Sequence, residues 1–173
     1  MRARKTCLHS ALLALVCLSL LSACGYTWRG QEGARSTHSV LGNGSSTVKF
    51  VEVDHPTVYT ALPYSIRAQV RDEITARGLA IWQDSGTADY GLTVRVETFK
   101  ISAYGQSRME NVQYTAHITV EFIVTDGRTN AQVWTSGVIS YSEYYTNVDE
   151  ESAIRETLQN AVRRGVDRMQ RKF

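Results

Sequence analysis

The sequence predicts an α+β fold: a two-layer sandwich with two helices on one face of a four-stranded, mostly antiparallel sheet, in the order β-α-β-β-β-α. Three observations lead there. The stretch from Val112 to Val124 alternates apolar and polar side chains, the mark of a strand buried on one side only. Two other stretches repeat apolar residues at helical spacing. Roughly 150 residues follow an N-terminal leader, enough for one domain with a single core.

Each element has its own signature. Residues 47–53 form a short β-branched strand, and Pro56 and Pro63 bracket the turn after it. A helix follows with Ile66, Val70 and Ile74 on one stripe, and Gly78 stands at its C-terminal cap. The second strand begins near Ala88, with Tyr90, Leu92, Val94 and Val96 alternating against Gly91, Thr93, Arg95 and Glu97. Phe99 and Ile101 fall on the opposite parity, which predicts a bulge or twist between Glu97 and Phe99. In the third strand, Tyr114, Ala116, Ile118, Val120 and Phe122 share the apolar face, while Thr115, His117, Thr119 and Glu121 share the other. Asp126-Gly127 turns into a fourth strand through Val133, Trp134, Val138, Ile139 and Tyr141. The last helix starts with Asn147 or Asp149 as cap and Glu150 and Glu151 in its first turn. Ile154, Leu158, Val162, Val166 and Met169 form its buried stripe, with Gly165 among them. Arg168, Arg171 and Lys172 match the negative end of its dipole.

The leader has a basic start (Arg2, Arg4, Lys5) and an apolar run over residues 11–21. Ser22-Ala23 then lead directly into Cys24. This is a secretory signal, and a small-residue cleavage site ending in cysteine is the pattern of a bacterial lipobox. The apolar run is about half the roughly 20 residues that a membrane-spanning helix needs. Cleavage before Cys24 is expected, with a diacylglyceryl group on its sulfur and an acyl chain such as palmitate on its new amino group. The chain then divides into a signal peptide (1–23), a lipidated N-terminus and Gly/Ser/Thr-rich tether (24–46) and one domain (47–173).

Removing the leader changes the charge. Its three basic residues leave 16 bases against 17 acids, a net of −1, with no basic block to hold nucleic acid. Cys7 and Cys17 depart with it, so Cys24 is the sole cysteine and no intramolecular disulfide is expected. No nucleophile elbow, metalloprotease helix, P-loop or dinucleotide fingerprint occurs. Gly42-Asn43-Gly44-Ser45 precedes a strand rather than a helix, so it reads as linker and not as a phosphate loop. His38, His55 and His117 lack a second ligand at metal spacing, and His117 reads as a surface residue of the polar strand face. The expectation is a non-enzyme with no cofactor and no metal. Tyrosines remain: Tyr141, Tyr144 and Tyr145 end the fourth strand, and both sheet packing and a protein interface account for them.

Cys24-Gly25-Tyr26-x-Trp28-Arg29-Gly30 resembles the mature start of the LptE family of lipopolysaccharide-assembly lipoproteins. Ala88-Asp89-Tyr90-x-Leu92-x-Val94-x-Val96 is similar to that family's second strand, and Tyr114-x-Ala116-x-Ile118-x-Val120-x-Phe122 to its third. The resemblance implies an outer-membrane lipoprotein that plugs the LptD β-barrel, assists its assembly and helps deliver lipopolysaccharide to the outer leaflet. It also implies a basic residue near one end of the sheet that meets the glycolipid phosphates, and Arg108, between the second and third strands, holds that place. Residues 144–148 carry no lysine or arginine, so a second phosphate contact there is not expected. The strand pattern also occurs in accessory lipoproteins of lipid-exporting ABC transporters, the alternative reading.

Overall fold

A computed structural model describes residues 39–42, 44–55, 59–104, 113–146 and 149–170. The elements are β1 (Thr47–Asp54), α1 (Leu62–Ala76), β2 (Ile81–Gln83), β3 (Tyr90–Tyr104), β4 (Gln113–Asp126), β5 (Gln132–Thr135), β6 (Ile139–Thr146) and α2 (Glu150–Gln170). The α+β class with two helices and a mostly antiparallel open sheet is present. The strand count and the order are not as expected: the sheet has six strands, in the sequence β-α-β-β-β-β-β-α. β2 spans three residues, too few for any periodicity to show. The expected fourth strand is two, because the chain bends between Thr135 and Ile139, where Gly137 adopts φ +62°.

The long strands β3 and β4 make the centre. β1 runs parallel to β3 on one side and parallel to β2 beyond it. β4 pairs antiparallel with β3, and its other edge is shared by β5 near Ile123–Thr125 and by β6 from Val120 back to Gln113. A bulge is present one residue before the expected place: the β3–β4 register shifts between Val96 and Thr98, leaving Glu97 as the extra residue. That shift explains how Val96 and Phe99 both reach the core across an odd spacing.

One sheet face is apolar and both helices contribute to the cluster on it. Leu92, Val94, Ile118, Val120, Phe122 and Val124 join Ile66, Val70 and Ile74 of α1 and Leu158, Val162 and Val166 of α2. Gly165 lets α2 lie close to the sheet, since a Cβ there would intrude on the Phe122 ring. α1 begins with Pro63 inside its first turn rather than in the preceding loop. It ends in a Schellman motif: Gly78 N–H donates to Thr75 O and Leu79 N–H to Ile74 O, both at 3.1 Å. Gly78 sits at φ +60°, a conformation glycine adopts without strain. Leu41 lies in the stretch read as tether, yet it is fully buried, and Val40 N–H donates to Met169 O at 2.9 Å at the end of α2.

Candidate functional site: the open face of the sheet

The sheet face opposite the helices follows from strand alternation. In β4 it comprises Thr115, His117, Thr119 and Glu121, and the register sets these beside specific partners. Lys100, His117 and Ser142 share one row across β3, β4 and β6; Thr98, Thr119 and Ser140 share the next. The side chains are joined. A ring nitrogen of His117 (Nδ1) lies 2.8 Å from Ser142 Oγ, and the other (Nε2) lies 3.1 Å from Thr119 Oγ1. Thr119 Oγ1 in turn meets Ser140 Oγ at 3.1 Å. Further along, Arg95 donates from Nη1 to Glu121 at 3.0 Å, and its Nε lies 3.5 Å from Asp54. Thr135 donates to the second Glu121 oxygen at 2.7 Å. These groups are partly hydrated, so each pairing adds only about 1 kcal/mol or less to stability. Their larger consequence is a polar, hydrogen-bonded surface that wets without exposing donors or acceptors to an apolar neighbour. Val133 on β5 and Val51 at the β1 bulge are its half-exposed apolar points.

Cys24 and Arg108 lie outside the described residues. The three tyrosines of β6 take three environments. Tyr145 is buried against Ala116 and Ala153 and stacks on Tyr114 with ring centroids 5.5 Å apart. Burial pushes its hydroxyl pKa up, and nearby Glu150 adds to the shift. Tyr141 is half-buried, donates to Glu143 at 3.1 Å and lies beneath the Arg164 guanidinium, 4.8 Å from its ring centre. Burial and the Glu143 hydrogen bond raise its pKa as well. Tyr144 is 61% exposed and shares its row with Thr115 on the open face. His117 is not a bare surface residue, because both of its ring nitrogens are engaged.

Arg164 and Arg168 escaped the sequence reading as a pair. Arg168 stands in the last turn of α2, where the dipole favours a cation, and its Nη1 also donates to the carbonyls of Ser136 (2.6 Å) and Val138 (3.2 Å). Arg164 Nη1 donates to Ser140 O at 3.3 Å. Their spacing of four residues on α2 puts both on the face beside β6. That spacing is the only sequence signal, and it names no target.

The sequence profile of the LptE family, described as lipopolysaccharide-assembly, matches residues 46–173. The chain belongs to the LptE family. No curated protein matches the sequence. Among solved structures, a DUF330-family protein from Xanthomonas campestris is similar at 15% identity and TM-score 0.54, covering 73% of this chain and 85% of that one. A PelC dodecamer from Paraburkholderia phytofirmans is similar at 15% identity and TM-score 0.53, covering 74% and 91%. At such identities these likenesses establish the fold. A minor lipoprotein from Acinetobacter baumannii also aligns, at 11% identity and TM-score 0.49 over 72% of this chain and 90% of that one.

Proposed function

We propose that this LptE-family chain is an outer-membrane lipoprotein, acylated at Cys24, that seats in the lumen of an LptD-like β-barrel, assists that barrel's assembly and helps pass lipopolysaccharide outward. The role is non-catalytic: the protein supplies a surface and a plug. The observation that carries the reading is the polar open face. A barrel lumen is hydrated and lined by polar side chains. A sheet whose outer residues are tied into hydroxyl, imidazole and arginine–carboxylate pairs suits such a lining, where water and barrel side chains satisfy the remaining valences. Among the described residues no helix is long and apolar enough to cross a membrane, so acyl chains on Cys24 would supply the anchor at about 0.8 kcal/mol per buried methylene. Arg108 is the proposed contact for lipopolysaccharide phosphate, through a bidentate guanidinium fork. The tyrosines at the end of β6 are proposed to contribute to the barrel interface, with exposed Tyr144 the first to meet it.

Site-specific photocrosslinking tests the reading. A photoreactive residue at Thr119, on the open face, should trap a large β-barrel in cells, and one at Val162, in the core, should trap nothing. Cys24→Ser should abolish palmitate incorporation and release the protein from membranes. Recovery of an inner-membrane transporter component in place of a barrel would overturn the plug reading in favour of an accessory transporter lipoprotein.

A further inference from the structure

The open face is uneven in charge, and the β3 bulge at Glu97 divides it. Toward β6, rows run across β3, β4 and β6: Thr98–Thr119–Ser140, Lys100–His117–Ser142 and Ser102–Thr115–Tyr144. They hold hydroxyls, an imidazole and the Lys100 ammonium, and no carboxylate. Lys100 is exposed, and among the described residues no ion pair or side-chain hydrogen bond engages it. Toward β1 the balance reverses. Glu52 pairs in register with Thr93 and Asp54 with Arg95, which sets both acids on the open face. Glu121 and the exposed bulge residue Glu97 join them. Only Lys49 and Arg95 answer these carboxylates among the described residues of that side. Arg95 is shared between Asp54 and Glu121, and Lys49 donates to Gly86 O at 3.4 Å. Glu52 and Glu97 are left uncompensated among the described residues.

The neighbouring edge is closed. Arg168 and Arg164 take the carbonyls of Ser136, Val138 and Ser140, which guards that stretch against an added strand. Contact with a partner then falls to the face. Its hydroxyls are tied to one another through His117 and Thr119, so it offers charges at fixed places on a polar lattice. A glycolipid phosphate suits this face poorly. The acidic side repels it, and Lys100 is a point charge without the guanidinium fork that grips phosphate. A protein surface carrying both signs is the better complement.

We infer that the open face reads its partner by charge: the barrel wall that covers it carries a carboxylate opposite Lys100 and basic side chains opposite Glu52 and Glu97. This pattern fixes how the domain is turned within the lumen. The inference rests on the plug reading and adds to it the chemistry of the wall. Charge complementarity sets register and rejects wrong orientations more than it adds affinity. A domain turned half round would set Lys100 against wall bases and Glu52 against wall acids, and each like-charge contact opposes that arrangement.

The test uses the full acylated chain in cells, with a photoreactive residue at Ser142 on the cationic side or at Thr93 on the acidic side. Mass spectrometry then identifies the trapped barrel peptides. Ser142 should trap a wall segment containing Asp or Glu, and Thr93 one containing Lys or Arg. Lys100→Glu should cut the Ser142 adduct about tenfold, through like-charge contact. Lys100→Ala, which only removes the attraction, should cut it about threefold. Changing the trapped wall acid to lysine should restore the adduct of Lys100→Glu. Glu52→Lys with Glu97→Lys should lower the Thr93 adduct in the same way. Barrel adducts equal in parent and charge variants, wall segments of one sign at both positions, or glycolipid trapped at Ser142 would each overturn the inference while the plug reading stands. If the parent traps no barrel from Thr119 either, the plug reading fails and takes the inference with it. Urea midpoints equal to the parent's show that the charge variants are folded.

Discussion

At the scale of single residues, two positions show how local geometry sets the energetics. Gly165 has no room for a side chain, because Phe122, itself fully buried, occupies the space a Cβ would take. Gly165→Ala should destabilise the fold by about 1–3 kcal/mol in urea titrations, since it improves helix propensity but overpacks the α2–sheet contact. Phe122→Leu in the same chain should return part of that loss; strictly additive losses would place the clash elsewhere. Asp126 is the second case. One of its oxygens accepts the backbone N–H groups of Arg128 and Thr129 and the Thr129 hydroxyl, which holds its pKa below the usual carboxylate range. Because the folded pKa is depressed, its stabilisation is present above the unfolded value of about 3.9 and is lost as pH falls through the folded one. Thermal midpoints measured from pH 5 downward should therefore fall less steeply in Asp126→Asn than in the parent. Asp89, held by the Thr47 N–H and hydroxyl, has its pKa lowered in the same way and accounts for acid sensitivity that remains. Neither aspartate could be singled out from sequence, because their value lies in donors brought to them by a turn and by a strand 42 residues away.

At the scale of elements, strand parity is the feature most legible in the sequence. Alternation in β4 assigned Ile118 to the core and Thr119 to the open face, and the structure has Ile118 at 1% exposure with Thr119 hydrogen-bonded on the other side. Ile118→Ala should cost about 2–5 kcal/mol through the cavity it leaves. Thr119→Ala should cost about 1 kcal/mol, because the partly hydrated hydroxyl it removes is shared between His117 and Ser140. Equal midpoint shifts in denaturant would contradict the one-sided sheet. The edge of β6 was not legible at all. Its guard depends on arginine stems from α2 reaching round the sheet to carbonyls that carry no side-chain identity. Arg164→Ala with Arg168→Ala should expose those carbonyls and produce concentration-dependent self-association in sedimentation velocity. A double variant that stays monomeric at every concentration would show that the two arginines brace the bend and do not guard the edge.

At the scale of the whole molecule, the strands give the domain two poles. Tyr90 pairs with Asp126 at one end of the β3–β4 ladder, and Tyr104 pairs with Gln113 at the other. Arg108→Glu should leave folding and barrel recovery unchanged, because an interface of that extent spreads over several anchors. It should weaken lipopolysaccharide binding about tenfold, as one exposed contact near 1 kcal/mol is not only lost but reversed. A titration at two salt concentrations measures it, and unchanged binding would remove Arg108 from the proposed contact. Composition and periodicity by themselves determined the α+β class, the two helices with their buried stripes, the β3 bulge and the polarity of the open face. Each of these is a repeat over many residues, and a hydrophobic period survives whatever the chain packs against. The tertiary structure alone decided that there are six strands, that β1 runs parallel to β3, that Leu41 belongs to the core and that half of the β6 edge is capped. Those outcomes rest on three-residue elements, a single glycine bend and backbone groups identical in every residue, and only the assembled fold tells such groups apart.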